Sequence, residues 1–308
     1  MISIKMMTIR RKYFAIFSML VAMLFITAGS SYNFAQEKNT AKGEFFRFEH
    51  LATNVADPIK VAKWYEDNLG LKLIRKTEGP TFTHFIADPD GNMMFELFYN
   101  AAAPLFDASK FSHSSFHVAF SVPDIDVILE KLIKAGAKVE GYVRKTSSQD
   151  GILNLRDPWG LPIQFVQRTK PILKGEGLRF EHIGINVEDV HKTENWYLEN
   201  LKMIVIRESK SNKPDYSCFI SDAGKHIMLE LYHTDKAPVI NFNEISVGSL
   251  HLASMTNDVY AVSEKLAKAG AKEIQDIIKV PGGDLILGLS DPWGFPLQFV
   301  TRTDPMLK

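Results

Sequence analysis

Cysteine is almost missing from this sequence: Cys218 is the only one. An intrachain disulfide is therefore excluded even in an oxidising compartment, and stability must come from packing. An excess of charge of one sign is missing too, because 36 Lys and Arg balance 36 Asp and Glu. That leaves no electrostatic footprint for nucleic acid. A full membrane-spanning run is also lacking: the apolar stretch at 13–28 falls short of the ~20 residues a spanning helix needs.

The apolar stretch has telling neighbours. Arg10, Arg11 and Lys12 precede it, and small and polar residues follow. This is the layout of a cleavable secretory signal, with cleavage expected after Ser30 or Ala35. Residues 1–35 are read as signal and processing region and 36–44 as a linker, which predicts an exported protein, periplasmic or secreted. An uncleaved membrane anchor is the alternative. No cysteine lies near the site, so lipid attachment is not supported.

What the chain does have is a repeat. "RFEHLATNV" at 47–55 returns as "RFEHIGINV" at 179–187, and "KWYEDNLGLKLIRK" at 63–76 as "NWYLENLKMIVIRE" at 195–208. "DPWGLPIQFVQRTKPILK" at 157–174 returns as "DPWGFPLQFVTRTDPMLK" at 291–308. The 308 residues, 45% hydrophobic, thus divide into two domains, 45–170 and 178–308, joined by a linker at 171–177. Each copy holds a smaller pattern twice over, a strand, a helix and three strands. Asp57, Asp124 and Asp189 stand where helix N-caps are wanted, and the turns "DPDG" and "DPWG" precede final strands. The fold class is α+β, four βαβββ units in two tandem domains.

Strand alternation then sorts the side chains. In "SSFHVAFSV" at 114–122, Phe116, Val118, Phe120 and Val122 share the face that packs under helices, while His117 stands on the opposite face among small residues. In the first copy His50, Glu96, His117 and Gln164 follow in the first, fourth, fifth and eighth strands. In the second copy the set is His182, Glu230, His251 and Gln298. Imidazole, carboxylate and amide oxygen are ligand types accepted by Zn, Ni, Fe, Mn or Co. A glutamate between Met94, Phe95, Leu97 and Phe98 is costly to bury without a cation or donor. One divalent metal per domain is expected, each held by its own copy's four residues.

The "HL..NV" opening strand, the "FELFYN" and "LELYH" strands and the "DPWG.P.QFV" ending resemble the vicinal oxygen chelate family, over residues 45–304. That family includes glyoxalase I, bleomycin resistance proteins, extradiol dioxygenases and methylmalonyl-CoA epimerase. The resemblance implies eight strands per domain curved into a cup, in which a metal chelates two neighbouring oxygens of a small substrate. Glutamine in the eighth strand counts against the dioxygenase set, and the retained ligands count against drug sequestration of the bleomycin-resistance type. A glyoxalase I-like lyase or isomerase is expected, moving a proton beside a carbonyl, with Glu96 and Glu230 as the bases. The alternatives are a non-catalytic small-molecule binder and, third, an extradiol-type dioxygenase.

Around these residues Asn54, Arg75, Met94 and Phe98, with Asn186, Arg207, Met228 and Tyr232, are the expected substrate contacts. The arginines would hold a carboxylate and the apolar members would favour a ligand with a hydrophobic part. Trp64 and Trp196 are expected to be packing residues. Monomer and homodimer are both compatible with the sequence.

Overall fold

A computed structural model describes residues 45–143, 145–146, 148–209 and 216–307. The expected signal and first linker, 1–44, lie outside the described residues. Four βαβββ units follow in order. The first is β1 (Phe46–Asn54), α1 (Pro58–Leu69), β2 (Lys72–Lys76), β3 (His84–Ala87) and β4 (Met94–Phe98). The second is β5 (Phe116–Ser121), α2 (Ile125–Lys134), β6 (Lys138–Val143), β7 (Gly151–Arg156) and β8 (Pro162–Gln167). The third is β9 (Arg179–Asn186), α3 (Val190–Leu201), β10 (Ile204–Glu208), β11 (Ser217–Ser221) and β12 (Met228–Tyr232). The fourth is β13 (Leu250–Thr256), α4 (Val259–Lys268), β14 (Lys272–Lys279), β15 (Leu285–Ser290) and β16 (Pro296–Thr301).

The helices start and stop as their sequences direct. Asp57 caps α1 by accepting the Lys60 N–H at 2.9 Å, and Asp189 caps α3 by accepting that of Lys192 at 3.0 Å. Gly70 ends α1 at φ 70°, in the left-handed region that glycine enters without steric cost. In the DPWG turns, Asp157 and Asp291 accept the Tyr65 and Tyr197 hydroxyls at 2.8 and 2.9 Å. The indoles of Trp64 and Trp196 donate to Ala135 O and Ala269 O, 2.8 Å each. These contacts tie the helices of the first and third units to the second and fourth.

The strands pair differently. There are two eight-stranded sheets, ordered β14-β15-β16-β13-β1-β4-β3-β2 and β10-β11-β12-β9-β5-β8-β7-β6. The first joins units one and four, the second units two and three. The expectation that 45–170 and 178–308 each close their own cup is corrected by this pairing: β1 lies antiparallel to β13, and β5 to β9. The reason is that β5 and β13 are equivalent strands of the two copies, so each can complete the other copy's first strand.

Phe116, Val118, Phe120 and Val122 are buried on the face assigned to them. They enter one continuous core that draws on all four units. Phe95 of β4 meets Phe180 of β9 edge-on at 4.9 Å, and Phe120 lies 4.7 Å from Phe180. The opposite face of each sheet is left for the polar residues. Among the described residues, no helix is long and apolar enough to cross a membrane.

Candidate metal centres

The exchange of units decides which ligands meet. His50 and Glu96 come together with His251, and His182 and Glu230 with His117. In both groups the potential ligand atoms all lie within 4.8 Å of one another. The expected partnership of His50 and Glu96 with His117 is corrected: β1 neighbours β13, so its histidine comes from the other copy. The glutamines change partners likewise. Gln298 stands beside Ala253, which stands beside His50, and Gln164 beside Ala119, which stands beside His182. The Gln164 amide donates to Asn154 Oδ1 at 3.1 Å.

Each histidine faces a small residue across its strand pair. Ala253 lies opposite His50 and Ala52 opposite His251, while Ala119 lies opposite His182 and Gly184 opposite His117. Gly184 leaves room for the ring as it lies here, since a Cβ there would come within 2.1 Å of His117 Cε1 and the ring or strand would have to shift. Small neighbours let the rings tilt toward a common point.

In the first group one oxygen, Glu96 Oε2, serves both rings, at 2.9 Å from His50 Nε2 and 3.6 Å from His251 Nε2. Both nitrogens are buried and have no aligned hydrogen-bond partner. In the second group Glu230 Oε2 lies 3.3 Å from His182 Nε2 and 3.5 Å from His117 Nε2, and those two nitrogens are 3.2 Å apart. The far side of three rings is already committed: His117 Nδ1 to His113 O, His251 Nδ1 to Val247 O and His50 Nδ1 to Glu49 Oε2, each at 2.8 Å. Carbonyl and carboxylate oxygens only accept, so these Nδ1 atoms carry the proton. In the neutral ring the Nε2 lone pair then faces the carboxylate.

Burial works against charge at each group, yet the clusters hold it. Burial alone would raise the carboxyls of Glu96 and Glu230, but their paired histidines bring both well below the ordinary range. Burial would lower His182, and Glu181 and Glu230 outweigh it, lifting the ring to about 9. Two inward imidazole nitrogens and an ionised carboxylate, with an amide one row away, match the donor set of a divalent cation. The orphaned Nε2 atoms of His50 and His251 fit such a cation better than they fit any hydrogen bond in the protein.

The expected substrate contacts divide. Phe98 and Tyr232 do line the centres, with rings 6.3 Å from His251 and 6.2 Å from His117. Met94 is covered by Phe85, Ala87 and Leu307, and Met228 by Phe219 and Leu173, so the segments after β16 and β8 close over both methionines. Asn54 and Asn186 are corrected to structural roles. The Asn54 amide donates to Asn100, Ala103 and Pro104 carbonyls and accepts the Asn100 N–H, and Asn186 holds the turn at 234–237 in the same way. Arg75 leans toward Asp304, 3.8 Å away, and Arg207 is exposed.

Four polar residues escaped the sequence reading. A β-bulge at Glu49, matched at Glu181, breaks the strict alternation and brings each glutamate alongside its neighbouring histidine. Glu49 pairs with Arg302 and Glu181 with Arg168. The signal was present in the repeats, where "RFEH" recurs whole and "QRT" matches "TRT".

Two eight-stranded sheets, each carrying two buried histidines and a half-buried glutamate that could hold a metal ion, define a protein of duplicated βαβββ units with paired candidate metal centres. The sequence pattern of the Glyoxalase/Bleomycin resistance protein/Dioxygenase superfamily matches residues 47–165 and again 179–299. The chain belongs to that superfamily. It is 26% identical to a lactoylglutathione lyase of Arabidopsis thaliana over 280 residues, covering 84% of this chain and 92% of the relative. It is 22% identical to glyoxalase I of Saccharomyces cerevisiae, covering 82% and 91%. The crystal structure of glyoxalase I from Zea mays superposes with a TM-score of 0.67 at 23% identity, over 84% of this chain and 94% of that one. This last likeness is one of fold.

Proposed function

We propose that this protein is a metal-dependent, glyoxalase-type lyase or isomerase that moves a proton beside a carbonyl of a small substrate. The observation that carries the proposal is the pair of centres in which two buried imidazole Nε2 atoms converge on one carboxylate oxygen, those of His50 and His251 without hydrogen-bond partners and those of His117 and His182 facing one another. His50, Glu96, His251 and Gln298 would hold one divalent ion, and His117, Gln164, His182 and Glu230 the other. A divalent cation there supplies Lewis-acid stabilisation of negative charge developing on a neighbouring oxygen.

The protein's own groups supply the rest. Glu96 and Glu230 are ionised at neutral pH, the state in which a carboxylate accepts a proton, whereas the amides of Gln164 and Gln298 cannot. Phe98 and Tyr232 set an aromatic ring beside His251 and His117. The relatives' names make lactoylglutathione the first product to test. Full-chain protein loaded with zinc, nickel, cobalt or manganese and then desalted should retain two ions per chain and form this product or exchange solvent deuterium into it. Glu96→Gln with Glu230→Gln should keep most of the metal and lose roughly 10²-fold or more in turnover. Retention of no metal by the wild type overturns the reading.

Export belongs to the same proposal, on the basic, apolar and small-residue order of 1–35. Mass spectrometry of protein from the cell envelope or medium should find those residues removed. An intact Met1 in membrane-bound material would favour the anchor.

A further inference from the structure

Behind each centre lies a buried ion pair. Glu49 is fully buried, and its carboxylate is gripped from two sides. Arg302 Nε donates to Oε1 at 2.9 Å and Arg302 Nη2 to Oε2 at 2.6 Å, while His50 Nδ1 donates to the same Oε2 at 2.8 Å. The guanidinium is fixed in turn by Asp284, which accepts from Nη1 at 2.9 Å and from the Thr303 backbone N–H at 2.8 Å.

The second centre holds the same parts in a looser setting. Arg168 Nε donates to Glu181 Oε1 at 2.7 Å and Arg168 Nη1 to Asp150 Oδ2 at 3.0 Å. Glu181 Oε2 stands 3.6 Å from His182 Nδ1, and neither atom has a hydrogen-bond partner. The carboxylate is in place, and the last contact of the chain is open.

A buried ion pair is poor evidence of stability, because desolvation offsets much of the attraction. Its geometry here serves another purpose. A carboxylate on the Nδ1 side of a histidine fixes the tautomer, turns the ring and makes Nε2 a stronger donor to a metal. The bulges that place Glu49 and Glu181 next to the histidines, against strand alternation, exist at these positions in both sheets.

We propose that Glu49 with Arg302, and Glu181 with Arg168, are positioning pairs that aim His50 and His182 at the cation, the first preset and the second closing when a cation arrives. This rests on the reading of the two centres as metal sites. The test uses the full chain and zinc alone. Titration against a competing chelator should show Glu49→Gln weakening one of the two zinc sites by roughly 10- to 100-fold, the range for loss of such outer partners, and leaving the other unchanged. Glu181→Gln should do the same to the other site. In the zinc-free wild type, nitrogen NMR of the imidazoles should find His50 held as the Nδ1–H tautomer and His182 not so held. Glu49→Gln should release His50.

A purely structural pair would lower the melting temperature without altering tautomer or affinity. If Glu49→Gln does not fold, Arg302→Lys keeps the charge, removes the two-pronged grip and should show the same NMR change. Unchanged zinc affinities at both sites, or a zinc-free His50 that is not the Nδ1–H tautomer, would overturn the proposal. Failure of the wild type to bind zinc would overturn the metal reading instead, while the tautomer measurement would still decide the role of Glu49.

Discussion

The two nitrogens of His50 keep different company, Nδ1 bonded to Glu49 and Nε2 turned toward Glu96. Placing the histidines needed only strand alternation, so His50, Glu96, His182 and Glu230 were legible in the sequence. Grouping them was not, and grouping governs what mutants do. His50→Ala with His251→Ala should abolish one zinc site and spare the other, whereas His50→Ala with His117→Ala should damage both, as read by zinc stoichiometry after desalting. Gly184→Ala offers a sharper probe. Its new methyl would meet the His117 ring at 2.1 Å, so the ring or strand must shift at a cost of about 1–3 kcal/mol. Zinc binding at the second centre should fall with it, and the first centre, where Ala52 occupies the corresponding place, should keep its affinity.

At the scale of elements, the strands and helices follow from period and caps, and the DPWG turns from their residues. The bulges do not, because nothing in "RFEH" says that one residue will be left unpaired. Asn54 shows the same limit: its place on the inner face was legible, but the turn at 100–104 that consumes its amide was not. The segments after β8 and β16 add a testable electrostatic feature. Burial would raise the carboxyls of Asp150 and Asp284, but backbone N–H donors and the buried arginines outweigh it and hold both below the ordinary 3.8. A carboxyl depressed in the folded state stabilises fully above its unfolded pKa, and that contribution is lost as pH falls through the folded value. Asp284→Asn should therefore be less stable than wild type at pH 7. In denaturant titrations the gap should shrink below about pH 4, where wild type loses the advantage.

For the whole molecule, the repeat announces two cups but is silent on their make-up. β1 and β9 are nearly the same sequence, "RFEHLATN" and "RFEHIGIN", so β5 and β13 meet equivalent partners in either arrangement. The chosen arrangement sets an order in time. The second centre draws its ligands from His117 to Glu230, an unbroken middle stretch, while the first spans His50 to Gln298 and joins the ends of the folded body. As the chain leaves the ribosome, the inner sheet has all its strands before β13 is made. Closing the outer one means bringing β13 back to β1 across everything between. A long loop adds only slowly to the entropic cost, and a middle already folded shortens it. In refolding with zinc present, the second centre should load first and the first centre last, each identified by the variant that lacks it. Simultaneous loading of both would mean that the ends meet as early as the middle.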